Sequence, residues 1–174
     1  RIEVVHYGIA DGNHKILSRV FYDAQGFKYT RFIGMTVNGD KNVYLCAYGF
    51  NTQNSGGKDS RVIVSRLDKG AKEFTNKLID FTDDFKDTKG IMQYNPGTGM
   101  LQLLTVTFIN GKSNWFSGRT VSTYLVLMSF IDPESLFIVS TKPVMGQKIS
   151  EYVADKFGDE KGFSGMPQDM IMNK

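Results

Sequence analysis

Cysteine, histidine, proline and long apolar runs are all scarce in this sequence, and each shortage removes a class of function. The 174 residues include 1 Cys, 2 His and 4 Pro. A single thiol, Cys46, excludes a disulfide framework within the chain. Lying in an apolar run, it reads as a small buried hydrophobe and not as a nucleophile. The lone thiol also removes the Cys pairs on which structural zinc sites are built. The histidines, His6 and His14, fall on one predicted hairpin, but two ligands alone do not make a zinc centre. The acidic cluster Asp80, Asp83, Asp84 and Asp87 lacks the spacing of a calcium loop and reads as a solvated turn. No metal site and no cofactor are therefore expected. The longest apolar stretch, residues 124–131, has the length of a strand, so no membrane-spanning helix is expected. Lys and Arg are spread singly and the net charge is only +3, which leaves no electrostatic footprint for nucleic acid. Nucleophile elbow, phosphate loop, dinucleotide fingerprint and HExxH pair are all missing, and no catalytic residue is assigned.

What is present is a unit written more than once. Residues 38–50 (NGDKNVYLCAYGF) align without a gap against 96–108 (PGTGMLQLLTVTF). Each is a Gly-containing turn followed by an apolar run ending in Phe. A polar loop comes next, then a second apolar run, 61–67 or 124–131, closed by a turn at Asp68 or Asp132. A truncated earlier copy uses 4–9 and 16–22, closed at Asp23. A third strand-like run follows each turn, at 27–33, 74–81 and 136–140. Short strands before each full copy, at 34–37 and 91–94, would make four. Asp bonds its own backbone in such turns, and Gly takes positive φ without steric cost.

The runs are rich in Val, Ile, Leu, Tyr, Phe and Thr, which suit a pleated surface. Alternation puts Val43, Leu45 and Ala47 on one side and Tyr44, Cys46 and Tyr48 on the other. Both sides are apolar, so the sheet should be covered on both faces. The expected fold is all-β: antiparallel four-stranded blade-like repeats, as in part of a β-propeller, with a β-sandwich as the alternative. Roughly four antiparallel strands every 40–50 residues is the spacing of propeller blades. The repeats span residues 1–145. The tail, 146–174, is expected to hold a short helix over 150–158, with Ile149, Tyr152, Val153 and Phe157 on one face, and then an irregular arm. The chain opens at Arg1 inside what reads as a repeat, so it is expected to be a piece of a longer protein.

The loop 110–119 carries the only Trp, beside a Phe, in a setting of Gly, Ser and Asn. Exposed aromatic residues anchor protein partners or stack on sugar rings. Asn114, Trp115, Phe116 and Arg119 are therefore the candidate ligand- or partner-binding residues. Asp59 and Asp132, near the two ends of the second runs, are the acids that a hydrolytic cleft would use.

The Tyr44–Gly49 and Val64–Gly70 stretches resemble the blade repeats of β-propeller-like secreted or surface-anchored proteins of Gram-negative bacteria. The resemblance covers the first 145 residues and implies an extracytoplasmic or cell-surface setting. The Asp box of sialidases, the kelch double glycine and the WD dipeptide are missing, so no residue role carries over. The expected function is a non-catalytic binding or scaffold module whose hairpin loops contact a protein or carbohydrate. The alternatives are part of a carbohydrate-active propeller enzyme, or a structural component of a larger assembly. So few repeats need flanking sequence or other chains to close a ring.

Overall fold

A computed structural model describes residues 2–10, 13–24, 26–51, 60–79, 86–110 and 122–145. All regular structure among them is β. Strands β1 (Ile2–Ala10) and β2 (Asn13–Tyr22) form a hairpin. Strands β3 (Tyr29–Val37), β4 (Val43–Phe50), β5 (Arg61–Leu67) and β6 (Thr75–Ile79) form a four-stranded antiparallel meander. A second four-stranded meander follows in β7 (Lys86–Asn95), β8 (Met100–Asn110), β9 (Ser122–Ile131) and β10 (Ile138–Met145). No closed ring is formed among the described residues.

The two full copies of the unit share one register. Val43 pairs with Leu67 in the first sheet, and their aligned partners Leu101 and Ile131 pair in the second. Because side chains alternate with period two, the same register puts aligned residues on the same face. The front of the first sheet carries Leu45, Ala47 and Ile63, and its back carries Tyr44, Cys46, Tyr48, Val62 and Val64. Leu101, Leu103 and Ile131 form the front of the second sheet.

The back of the first sheet packs on the front of the second, in one cluster with Ile33, Ile79, Met92 and Leu136. The front of the first sheet packs on Tyr22 and Ala24, with Ile2, Val4, Phe27 and Phe74 at the edge of that cluster. The central sheet is thus covered on both faces, as its sequence requires. Cys46 is fully buried in this core, where burial pushes its thiol well above the usual range.

The two sheets come closest along β3 and β7. Gly34 makes this possible: a Cβ there would lie 2.6 Å from the backbone nitrogen of Met92. Beside it, the Tyr94 N–H donates to Thr36 Oγ1 at 3.0 Å. Gly34 faces Met92 and Thr36 faces Tyr94, so β3 and β7 run in the same direction. Arg66 ties the sheets at the other end of the second runs. Its guanidinium donates to the Pro133 and Glu134 carbonyls at 3.3 and 2.9 Å and pairs with Glu134 and Asp68, both at 2.9 Å.

The closing turns follow the expected chemistry only in part: Gly70 takes positive φ in the first, where the Asp68 carboxylate pairs with Arg66, and the Asp132 carboxylate bonds its own backbone in the second. Ala71 N–H donates to the Asp68 carbonyl at 2.9 Å, with Gly70 at φ 81°. In the second sheet Asp132 Oδ1 accepts from the Ser135 N–H and hydroxyl, each at 2.7 Å. Those bonds hold the Asp132 carboxyl below its usual range. Leu136 ends this turn at φ 59° with its side chain buried in the inter-sheet core.

Two expectations need correction. Residues 27–33 are not a third strand of the first unit. Residues 29–33 join 34–37 in one strand, β3, which pairs with β4 across a bulge between Phe32 and Gly34. The turn after β2 is closed by Phe27 N–H to the Ala24 carbonyl, with Gly26 at φ 89°. Ala24, not Asp23, therefore stands where Asp68 stands, and the first unit aligns one residue away from the reading by Asp. A slip of one residue exchanges the two faces of a strand. No helix occurs among the described residues; the helix expected over 150–158 lies outside them, as does all of 146–174.

Candidate functional site

The parallel course of β3 and β7 has a topological consequence. Phe50 and Arg61, which flank the β4–β5 connection, lie at one end of the stack. The ends of β8 and β9 that flank the β8–β9 connection occupy the equivalent place in the second sheet. Both long hairpin connections therefore leave from the same end.

At that end the first sheet carries an aromatic and cationic cluster. Tyr29 pairs with Phe50, and Arg31 with Tyr48, in the β3–β4 ladder. Side chains on one face of neighbouring strands are close enough to interact directly. The Tyr29 and Phe50 rings stack with centres 5.4 Å apart and planes at 22°. Tyr48 and Phe50 are 5.8 Å apart. The Arg31 guanidinium lies 6.0 Å from the Phe50 ring centre, and the Lys28 ammonium 5.4 Å from that of Tyr29. A cation over a ring face at such distances is attracted by the ring quadrupole. Tyr29, Arg31 and Phe50 are half-buried, and Lys28 is exposed. Asn51 fixes the neighbouring backbone: its Oδ1 accepts from Lys28 N–H at 2.8 Å, and its amide reaches the Gly26 carbonyl at 3.4 Å.

The facing sheet changes character toward the same end. Along the front of β8, Leu101 and Leu103 give way to Thr105 and Thr107, each about 1% exposed. Thr88 donates its hydroxyl to Thr107 at 3.2 Å, and Thr105 Oγ1 has no hydrogen-bond partner. The front of β8 is thus aliphatic toward the turn end and hydroxyl-bearing toward the loop end. Aromatic faces and two cations suit a ligand with flat apolar surface and oxygen acceptors, whereas the Thr hydroxyls are buried between the sheets. They supply no nucleophile–base pair.

Asn114, Trp115, Phe116 and Arg119 lie outside the described residues, between the end of β8 and the start of β9. The sequence reading did not bring Tyr29, Arg31 and Phe50 together, because Phe50 ends β4 while the other two lie on β3. The Phe that closes each copy of the repeat was the available signal. His6 and His14 are both exposed, His6 opposite Ser18 and His14 opposite Ile9. No group of three or more potential metal ligands occurs among the described residues. Asp80, Asp83 and Asp84 lie outside them, as do Asp59 and the side chain of Asp87. Asp132 belongs to the turn end of its sheet, and its carboxylate is engaged by its own turn. No helix among the described residues is long and apolar enough to cross a membrane. Compared with family models, curated proteins and solved structures, the chain matches none.

Proposed function

We propose that this chain is a non-catalytic binding module built from propeller-like blades, and that it contacts a protein or carbohydrate at the loop end of its sheet stack. The supporting observation is the shared direction of β3 and β7, which sends both long connections out beside the Tyr29–Arg31–Phe50 cluster. Aromatic and Arg side chains are the residue types that dominate recognition energetics. The loop that carries Trp115 adds a further aromatic in sequence.

The experiment is a binding screen of the labelled chain on a glycan array and on immobilised cell-surface protein extracts, with Trp115→Ala and Arg31→Ala in parallel. Each variant should keep the wild-type melting profile and weaken the leading hit by tenfold or more, equivalent to about 1.4 kcal/mol. A folded double variant that binds its hit as well as wild type would remove the loop end as the contact surface.

A further inference from the structure

The front of the first sheet is covered over β4 and β5 and open over β3. The end of β2 sits over β5 and β6. Ser65 donates its hydroxyl to that of Tyr22 at 3.1 Å, and the Asn76 amide donates to the Asp23 carbonyl at 2.9 Å. The Tyr22 and Phe74 rings meet edge to face. Strand β1 lies beside β2, with Ile2 and Val4 against the cluster that holds Leu45 and Ala47. Among the described residues β1 pairs with β2 alone. Its other edge, on the β3 side, therefore presents backbone N–H and C=O groups without a ladder partner among them.

Beyond that edge the front of β3 carries Phe32, Met35 and Val37. They stand opposite Ala47, Leu45 and Val43 in the ladder and are 51%, 47% and 49% exposed. In the second sheet the equivalent positions are filled. Leu103 and Leu101, aligned on Leu45 and Val43, pair with Met92 and Tyr94. Met92 is 6% exposed and Tyr94 is half-buried, because β3 lies over them, with Gly34 against Met92 and Thr36 accepting from the Tyr94 N–H.

A free strand edge beside an apolar stripe on alternate ladder positions fits an extended chain. We propose that a segment of a partner polypeptide adds to β1 as a third antiparallel strand, running with β3, and lays apolar side chains on Phe32, Met35 and Val37. In strand addition the main-chain bonds give affinity and the alternate side chains give specificity. The β3–β7 seam is the pattern for this contact. The incoming strand therefore resembles β3 and needs a glycine where Gly34 meets Met92.

A fluorescent peptide with the sequence of residues 28–37 is the probe, titrated with the full chain and read by anisotropy. Binding should saturate, and alternate amides of β1 should gain protection from hydrogen exchange. Met35→Lys and Phe32→Lys, at exposed positions of the chain, should keep the wild-type melt and weaken binding by about tenfold or more. Val139→Lys, also exposed but on β10, should leave binding unchanged. A peptide carrying Gly34→Val should bind about tenfold or more weakly. No saturable binding to the wild-type chain would overturn the proposal. So would binding that a folded Met35→Lys chain retains in full, or that leaves the β1 amides unprotected. Should Met35→Lys fail to fold, Val37→Lys replaces it with the same reading. Self-association of the wild-type chain in light scattering, abolished by Met35→Lys, would assign the seat to a second copy and would also overturn it.

Discussion

Replacing Gly34 by alanine tests the close approach of β3 to β7. The new Cβ meets the Met92 nitrogen at 2.6 Å, and ordinary contact begins at 3.4 Å. The obstacle is backbone, so relief requires β3 and β7 to separate by about 0.8 Å, or the strand to twist by an equivalent amount. A gap of roughly 0.5–1 Å forfeits a quarter to a half of each dispersion contact along the seam. It also stretches the Tyr94–Thr36 hydrogen bond from 3.0 Å beyond useful length. A bond of that kind contributes about 1 kcal/mol. Overpacking typically costs about 1–3 kcal/mol. Lower entropy of the unfolded chain returns about 0.4–1 kcal/mol. The net expectation is a loss of about 2–3 kcal/mol. For a domain of this size that corresponds to a fall in Tm of roughly 5–10 °C. Urea unfolding should show the lower midpoint at an unchanged slope. Gly39→Ala is the control, because a Cβ there meets nothing within 4 Å. It should leave stability unchanged or slightly higher. A Gly34→Ala midpoint within about 0.5 kcal/mol of wild type, the usual scatter of surface substitutions, would refute the inter-sheet contact.

Leu136 invites an inversion of the usual helix-and-strand ranking. Ala and Gly both forfeit its buried side chain, at about 2–5 kcal/mol, but only Gly is relieved of the left-handed conformation at φ 59°. Leu136→Gly should therefore be more stable than Leu136→Ala by about 1 kcal/mol in urea; the opposite order would mean the turn is not left-handed in solution. Tyr22 predicts an alkaline response. Burial pushes its hydroxyl from 10.0 up to about 12, against the hydrogen bond from Ser65, whose Oγ lies 3.1 Å away. The contribution is fully present below pH 10 and is lost as the unfolded chain ionises between pH 10 and 12, by up to about 2–3 kcal/mol at 1.36 kcal/mol per unit. Tyr22→Phe should flatten that part of the stability–pH curve, and an unchanged curve would locate the ionising group elsewhere.

Much of the fold was legible because strand periodicity and repeat alignment agree. The Val43–Tyr48 alternation placed every one of those residues on the face it occupies. The ungapped alignment of 38–50 with 96–108 reproduced the register of both sheets. The first strand of each four-stranded sheet was harder to see. In β3 the polar Thr30 and Arg31 and the bulge at Phe32 interrupt alternation, and β7 opens on Lys86, Asp87, Thr88 and Lys89. Their place is set by packing against each other, which no local window contains. In the first unit Asp23 drew the alignment off by one, although Gly26, which must take positive φ, carried the stronger geometric constraint. The candidate site was half legible. Phe50 was visible as the end of its run, but Tyr29 and Arg31 join it only through cross-strand pairing.

Coverage of the first sheet on both faces also sets an order of opening. Amide hydrogens exchange when a hydrogen bond breaks and water enters, and the cost of that event follows the burial around it. The β4 and β5 amides, between Tyr44–Tyr48 and Val62–Val64, lie under side chains no more than 2% exposed. They should exchange only through global unfolding. The β1–β2 hairpin from Asn13 to Arg19 is exposed along its whole length and should exchange first. The chain would then lose its periphery from the hairpin inward, with its central sheet as the last unit to deuterate.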